Sequence, residues 1–228
     1  DELPEVPDRD GVRDQLKLPH AAQVIALMPG SRQSEVREMA ELMIAAAKLV
    51  RQQARQAHFL VPLVSRETRL IFEGALYRQR AEDLPLTILY GHAHDAMTAA
   101  DVVLVASGTA TLEAALLKRP MVITYRVPAL TAWIMKRQAY LPYVGLPNVL
   151  AGEFVVPELL QEDATAENLA QALVNLLNDK LVRDRLETRF SAMHRKLRQG
   201  TAVRAVEAIL PLLGAGGAQA VDVRGAPA

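Results

Sequence analysis

Two short stretches combine the residue types that bind an anion at the start of a helix. In ASGTATLEAALLKRP, Ser107, Gly108 and Thr109 follow an apolar run of strand length at 101–106. Small residues at that point let backbone N–H groups face a ligand. The helix expected from about residue 110 then begins with unpaired N–H groups and the positive end of its dipole, which suits a diphosphate. Glu113 lies one turn further on, near enough to accept hydrogen bonds from ribose hydroxyls. Without a ligand the same residues are a tight turn and a carboxylate that complements the helix dipole.

VIALMPGSRQSE repeats the arrangement. Residues 24–28 form an apolar strand, and Pro29, Gly30 and Ser31 break it. A helix starts near Ser34, with Val36, Met39, Ala40, Met43, Ala47 and Val50 at a period of 3.6. Arg32 therefore stands in a loop between a strand end and a helix start. An arginine there forms bidentate pairs with phosphate oxygens, or pairs on the surface with Glu35. Neither stretch contains GxxxxGK[ST] or GxGxxG, so a Walker loop and a dinucleotide fingerprint are excluded.

The elements that position these turns alternate. Strands are expected at 24–28, 58–64, 86–90, 101–106 and 121–125, with helices at 34–55, 66–81, 93–100 and 110–118 between them. Pro62 is awkward within a central strand and marks its end or an irregularity. Such alternation implies βαβ units and a parallel, Rossmann-like sheet flanked by helices, in which ligands lie beyond the carboxyl ends of the strands. Further on, a helix is expected at 129–140, an irregular stretch around Leu146-Pro147-Asn148 up to Gly152, and helices at 165–177, 180–197 and 202–213, the first capped by Thr165. Residues 1–19 read as a linker with a short helix at 12–16, residues 20–213 as the ligand-binding domain with trailing helices, and residues 214–228 as a Gly/Ala-rich disordered tail.

Composition narrows the function. Half of the 228 residues are apolar, enough for a large core, and 26 basic residues balance 26 acidic ones. That balance argues against a nucleic-acid binder, which needs a basic excess. Cysteine is absent, so neither disulfides nor thiolate chemistry enter. No apolar run is long enough to span a membrane. The acidic, proline-containing start DELPEVPDRD, with no initiating Met, reads as part of a longer protein.

Other candidates were weighed. Gly91, His92, Ala93, His94 and Asp95 follow the third strand; their spacing does not make a metal site, and no metal or other cofactor is expected. The functional alternative is a loop beside the ligand, with Gly91 and His92 against a base, and the plain alternative is a polar loop. Asp8-Arg9-Asp10 has DxD spacing but no preceding strand, and reads as solvated charge. Asn148 either donates to a phosphate or shapes a turn. Trp133 beside Lys136 and Arg137 suits either a core helix or an anionic membrane surface. Arg183, Arg185, Arg189, Arg195 and Arg198 make a solvated face or a phosphate- or membrane-facing patch.

In their order, ALMPGSRQSEV, ASGTATLEAALLKRPMV, YRV and LPNVLAG closely resemble the lipid-A-disaccharide synthases, from residue 24 to about residue 213. The resemblance implies the carboxyl-terminal half of a two-domain GT-B glycosyltransferase that inverts configuration. That half binds the UDP part of the donor; the amino-terminal half would supply most of the acceptor site and the base. The implied reaction moves 2,3-diacylglucosamine from UDP to the 6-hydroxyl of 2,3-diacylglucosamine 1-phosphate, giving a β-1,6 disaccharide and UDP. Arg32 and Asn148 match the family's donor-site residues, Gly30 and Ser31 flank Arg32, Ser107, Gly108 and Thr109 match the diphosphate turn, and Glu113 matches the ribose carboxylate of related enzymes. The family further implies peripheral attachment to the cytoplasmic face of a Gram-negative inner membrane and a homodimer. The rivals are another GT-B UDP-sugar enzyme, such as a UDP-N-acetylglucosamine epimerase, and a non-catalytic nucleotide sensor.

Overall fold

The computed structural model describes residues 3–19, 21–126 and 142–216. Its strands are β1 (Gln23–Met28), β2 (Ala57–Leu63), β3 (Leu86–Tyr90), β4 (Val102–Ala106), β5 (Met121–Tyr125) and β6 (Glu158–Leu160). Every neighbouring pair is parallel, in the order β3-β2-β1-β4-β5-β6. The helices are α1 (Arg9–Gln15), α2 (Gln33–Gln53), α3 (Arg66–Arg78), α4 (Ala93–Ala99), α5 (Thr109–Leu116), α6 (Leu146–Ala151), α7 (Ala166–Asn178), α8 (Lys180–Leu197) and α9 (Thr201–Gly216). The fold class is α/β, as the alternation implies.

Strands β1, β2, β4 and β5 are almost wholly buried, because helices cover both faces of a parallel sheet. On one side α2 packs against α3 and α7; a second connected set joins α1 to α4, α4 to α5 and α5 to α8. From β1 the chain winds outward through β2 to the edge strand β3, then returns through α4 to β4, beside β1 on its other side. Strand order reverses there, so the crevice beyond Met28 and Ala106 is the topological switch point. Register runs from Ile25 opposite Val102 to Met28 opposite Val105, which sets the turn after β1 alongside the turn after β4.

Pro62 lies inside β2 after all. Pairing with β1 stops at Leu60, whereas pairing with β3 continues to Leu63. Phe59 N–H donates to Pro85 and the Leu63 carbonyl accepts from Gly91, so the odd residues address β3. Pro62 faces the other way, where the ladder has ended, and its missing N–H costs nothing.

Four expectations need correction. The short helix expected at 12–16 within a linker is present as α1, starting three residues earlier, and the stretch is docked, for Leu3, Val12, Leu16 and Leu18 pack on the common core. Asp8 caps α1 by accepting from Gly11 N–H at 3.0 Å, and Arg9 pairs with Asp101, so neither is merely solvated charge. Residues 146–151 are not irregular but form α6, with a proline in the first turn and Gly152 closing the helix at φ 70°. The last helix runs through Gly216, three residues into the supposed tail. The helix expected at 129–140, with Trp133, Lys136 and Arg137, lies outside the described residues. Among the described residues, no helix is long and apolar enough to cross a membrane.

Candidate functional site

Both glycine turns open at the switch point, but their N–H groups are used differently. After β1, Gly30 adopts φ 118°, a backbone only glycine takes without strain. Arg32 is the N-cap of α2 in extended conformation, φ −98° and ψ 148°. Its side chain is 80% exposed. Glu35 folds back over the turn. Its Oε2 accepts from Ser31 N–H at 2.8 Å and Arg32 N–H at 3.1 Å, and its Oε1 lies 3.3 Å from Arg32 Nη1.

After β4, Ser107 N–H continues the sheet by donating to the Thr124 carbonyl at 3.0 Å. Gly108 then takes φ 156° and ψ −165°, and a Cβ there would meet no atom within 4 Å. Helix α5 has neither a side-chain cap nor an acidic residue in its first turn. Among the described residues nothing accepts from the amides of Thr109 and Ala110, so they stand open at the positive end of the helix dipole. Thr111 holds the turn from behind. Its buried hydroxyl donates to the Gly108 carbonyl at 2.7 Å and accepts from Leu146 N–H at 3.3 Å, which ties the start of α6 to the start of α5.

Glu113 lies on α5 with its side chain partly exposed, and His94 Nε2 is 2.8 Å from its Oε2. The first turn of α4 is thereby tied to α5 although β3, which precedes it, is the far edge strand. Gly91 and His92 are both left-handed, at φ 73° and 54°, and His92 Nδ1 pairs with Asp95 at 2.7 Å. The histidines are thus engaged with separate carboxylates. Among the described residues no group of three or more His, Asp or Glu side chains is gathered to hold a metal ion.

Asn148 stands apart from the other candidates. It is fully buried, and all its bonding capacity is spent internally. Its Oδ1 accepts from Val155 N–H at 2.8 Å and Val156 N–H at 3.0 Å; its Nδ2 donates to the Val156 carbonyl at 2.9 Å and Glu158 Oε1 at 2.8 Å. Glu158 also accepts from Val144 and Gly145 N–H, the two residues that lead into α6. In this geometry the Asn148 side chain is spent on shaping the chain around residues 155–158. The structure therefore sets Gly30, Ser31 and Arg32 beside Ser107, Gly108 and Thr109 at the ends of neighbouring strands, and pairs Glu113 on α5 with His94 in the first turn of α4. Thr111 and Glu158 had no sequence signal beyond their chemistry, because their partners are distant in the chain.

The family model described as lipid-A-disaccharide synthetase matches residues 1–209. The chain belongs to this family. It is similar to the lipid-A-disaccharide synthase of Methylobacillus flagellatus, with 56% identity over 213 residues, covering 93% of this chain and 56% of that protein. The chain spans about half the length of the curated relatives it matches. Among solved structures it is similar to WaaG, a glycosyltransferase involved in lipopolysaccharide biosynthesis, at TM-score 0.58 and 17% identity, covering 86% of this chain and 48% of that one. It is also similar to the C-terminal domain of the group 1 glycosyl transferase LpcC from Francisella tularensis, at TM-score 0.56 and 14% identity, covering 85% and 94%. At these identities the likeness is one of fold: the synthetase-family chain has the architecture of a GT-B carboxyl-terminal domain.

Proposed function

We propose that this chain is the donor-binding half of an inverting glycosyltransferase that moves 2,3-diacylglucosamine from UDP to 2,3-diacylglucosamine 1-phosphate, forming the β-1,6 lipid A disaccharide and UDP. One observation carries the reading: in a chain of this family, two helix starts and an exposed arginine converge at the β1/β4 switch point. In the reaction the acceptor 6-hydroxyl oxygen attacks C1 of the donor sugar from the face opposite the diphosphate. A base in the other half of the enzyme takes the hydroxyl proton. The electron pair of the C1–O bond leaves on the diphosphate. Arg32 and the open amides of α5 are donors already aimed where that charge grows. Glu113, oriented by His94, accepts from the ribose hydroxyls, and the Gly91–His92 turn flanks the base.

Asn148 takes a positioning role in this proposal. It fixes the loop before β6 and, with Glu158, the start of α6, which Thr111 links to the diphosphate turn. The acyl chains of both substrates imply work at the cytoplasmic face of the inner membrane, with the protein attached peripherally. Homodimerisation belongs to the same reading.

The test is a UDP titration of this chain by calorimetry, beside Arg32→Ala. Wild type should bind UDP, and the variant should bind at least tenfold more weakly with unchanged folding. Equal affinities would remove Arg32 from the site, and no binding by wild type would overturn the donor-half reading. In the complete two-half enzyme, detectable transfer excludes a nucleotide sensor, and a requirement for a diacylated donor excludes an epimerase.

A further inference from the structure

One of the two anion positions is already filled by the protein itself. The α5 amides are open, but at α2 the Glu35 carboxylate accepts from Ser31 and Arg32 N–H and lies against the Arg32 guanidinium. Those are the two kinds of donor a phosphate would take at this turn: amides at a helix start, and an arginine fork. Arg32 occupies the N-cap position and has no acceptor to offer, so Glu35 alone provides the side-chain cap. The backbone is built around this arrangement. A Cβ at Gly30 would stand 2.5 Å from both Cβ and Oε2 of Glu35, so the turn has no room for a side chain at this position.

Resting on the diphosphate role of this turn, we propose that Glu35 is a positioning residue that serves as a built-in anionic placeholder. Without donor it keeps the Ser31 and Arg32 amides and the Arg32 side chain aimed into the crevice. Binding of the diphosphate displaces it, since two anions cannot share the same donors at contact distance. Its return favours product release. When the C1–O bond breaks, the electron pair stays on the β-phosphate oxygen, so UDP leaves with one more negative charge than its diphosphate carried in the sugar nucleotide. The returning carboxylate repels that more anionic product more strongly than it repels the donor.

Glu35→Gln tests this, because glutamine keeps an acceptor for the same amides and removes the charge. Titrated into this chain, UDP should bind about tenfold more tightly to the variant than to wild type, while uridine binding is unchanged; tenfold is about 1.4 kcal/mol. A residue that is only a helix cap predicts the reverse, since the amide is a weaker cap than the carboxylate. UDP affinity that is equal or lower in Glu35→Gln overturns the placeholder while leaving the donor-half reading intact. Wild type that fails to bind UDP overturns that reading instead. A second measurement needs no variant: in ¹⁵N spectra of wild type, the Ser31 and Arg32 amides should shift as inorganic pyrophosphate or UDP is added. Amides that stay fixed while UDP binds would also overturn the proposal.

Discussion

The central strands β1 and β4 end in opposite ways. At their amino ends one carboxylate ties the pair together. Asp101 Oδ2 accepts from Val24 N–H at 2.8 Å and Arg13 Nη2 at 2.9 Å, Oδ1 pairs with Arg9, and Asp101 N–H donates to the Val24 carbonyl at 2.7 Å. Arg13 is buried and also donates to the Ala99 carbonyl at 2.8 Å. At their carboxyl ends the same strands run into Gly30 at φ 118° and Gly108 at φ 156°, with an arginine exposed and helix amides open. Charge is neutralised inside the protein at one end; at the other an exposed Arg32–Glu35 pair and the open α5 amides meet solvent. The closed end carries the stability that lets the open end hold unfavourable backbone and unpaired donors.

The contrast breaks most readily at Asp101. Asp101→Ala leaves the Arg9 and Arg13 guanidinium groups and the Val24 amide without their shared acceptor, and should cost about 3–5 kcal/mol, as for other internal ion pairs stripped of one partner. The midpoint of urea unfolding, at unchanged slope, measures it. A loss below about 1 kcal/mol would mean that the amino end is no clamp.

Arg32→Ala should do the opposite. The side chain is exposed and its Glu35 contact is a surface pair, so stability should change by no more than about 0.5 kcal/mol. In the complete two-half enzyme, turnover should fall by about 10²–10³, or about 2.7–4 kcal/mol of barrier. An unfolding midpoint that drops with activity unchanged would reverse the assignment of the two ends.

The glycines sharpen the comparison within the open end. Both substitutions meet a disfavoured backbone, at about 1–3 kcal/mol each. Gly30→Ala adds a collision with Glu35, whereas the added methyl of Gly108→Ala points into open space. Gly30→Ala should therefore unfold more easily than Gly108→Ala, while Gly108→Ala, still folded, should lose UDP binding because its methyl enters the crevice. Equal stabilities would show that Glu35 does not crowd position 30.

Much of the frame was legible because parallel strands covered on both faces read as continuous apolar runs, and β3 and β5 begin and end where the sequence predicts. The turns were legible for a related reason: Gly30 and Gly108 each stand just after such a run. What escaped depends on partners far along the chain. Nothing near Arg13 announces Asp101, 88 residues away, so the short helix was legible but its docking was not. Asn148 is buried by Val155, Val156 and Glu158, which a loop reading cannot supply. Helix α6 is six residues long, too short for a periodic signal. Glu35 was visible as a partner for Arg32, but not its reach across to the Ser31 amide.

The smallest effect tests whether the contrast continues along α5, open at its first turn and locked just past its last. Leu186, Phe190 and His194, four residues apart on α8, are buried against the domain. Beyond the end of α5, Lys118 is buried at φ 58°; its Nζ donates to His194 Nδ1 at 2.6 Å and to the Pro4 carbonyl at 3.3 Å. With Nδ1 accepting, the imidazole is neutral and its proton sits on Nε2, which is buried without a partner. Burial first, then the Lys118 charge, push His194 below its ordinary value of 6.5; Glu5 and Arg198 are the other charges acting on it. The folded state therefore binds fewer protons than the unfolded chain as pH falls past 6.5, and stability present above that pH is lost below it. The thermal midpoint of wild type should decline on acidification through that window, and more steeply than that of His194→Gln, which cannot titrate there. Lys118→Met should also flatten the decline, because removing the neighbouring charge lets His194 rise toward its ordinary value. Superimposable profiles for wild type and His194→Gln would mean that this contact carries no part of the acid sensitivity, and that α8 is held by Leu186 and Phe190 alone.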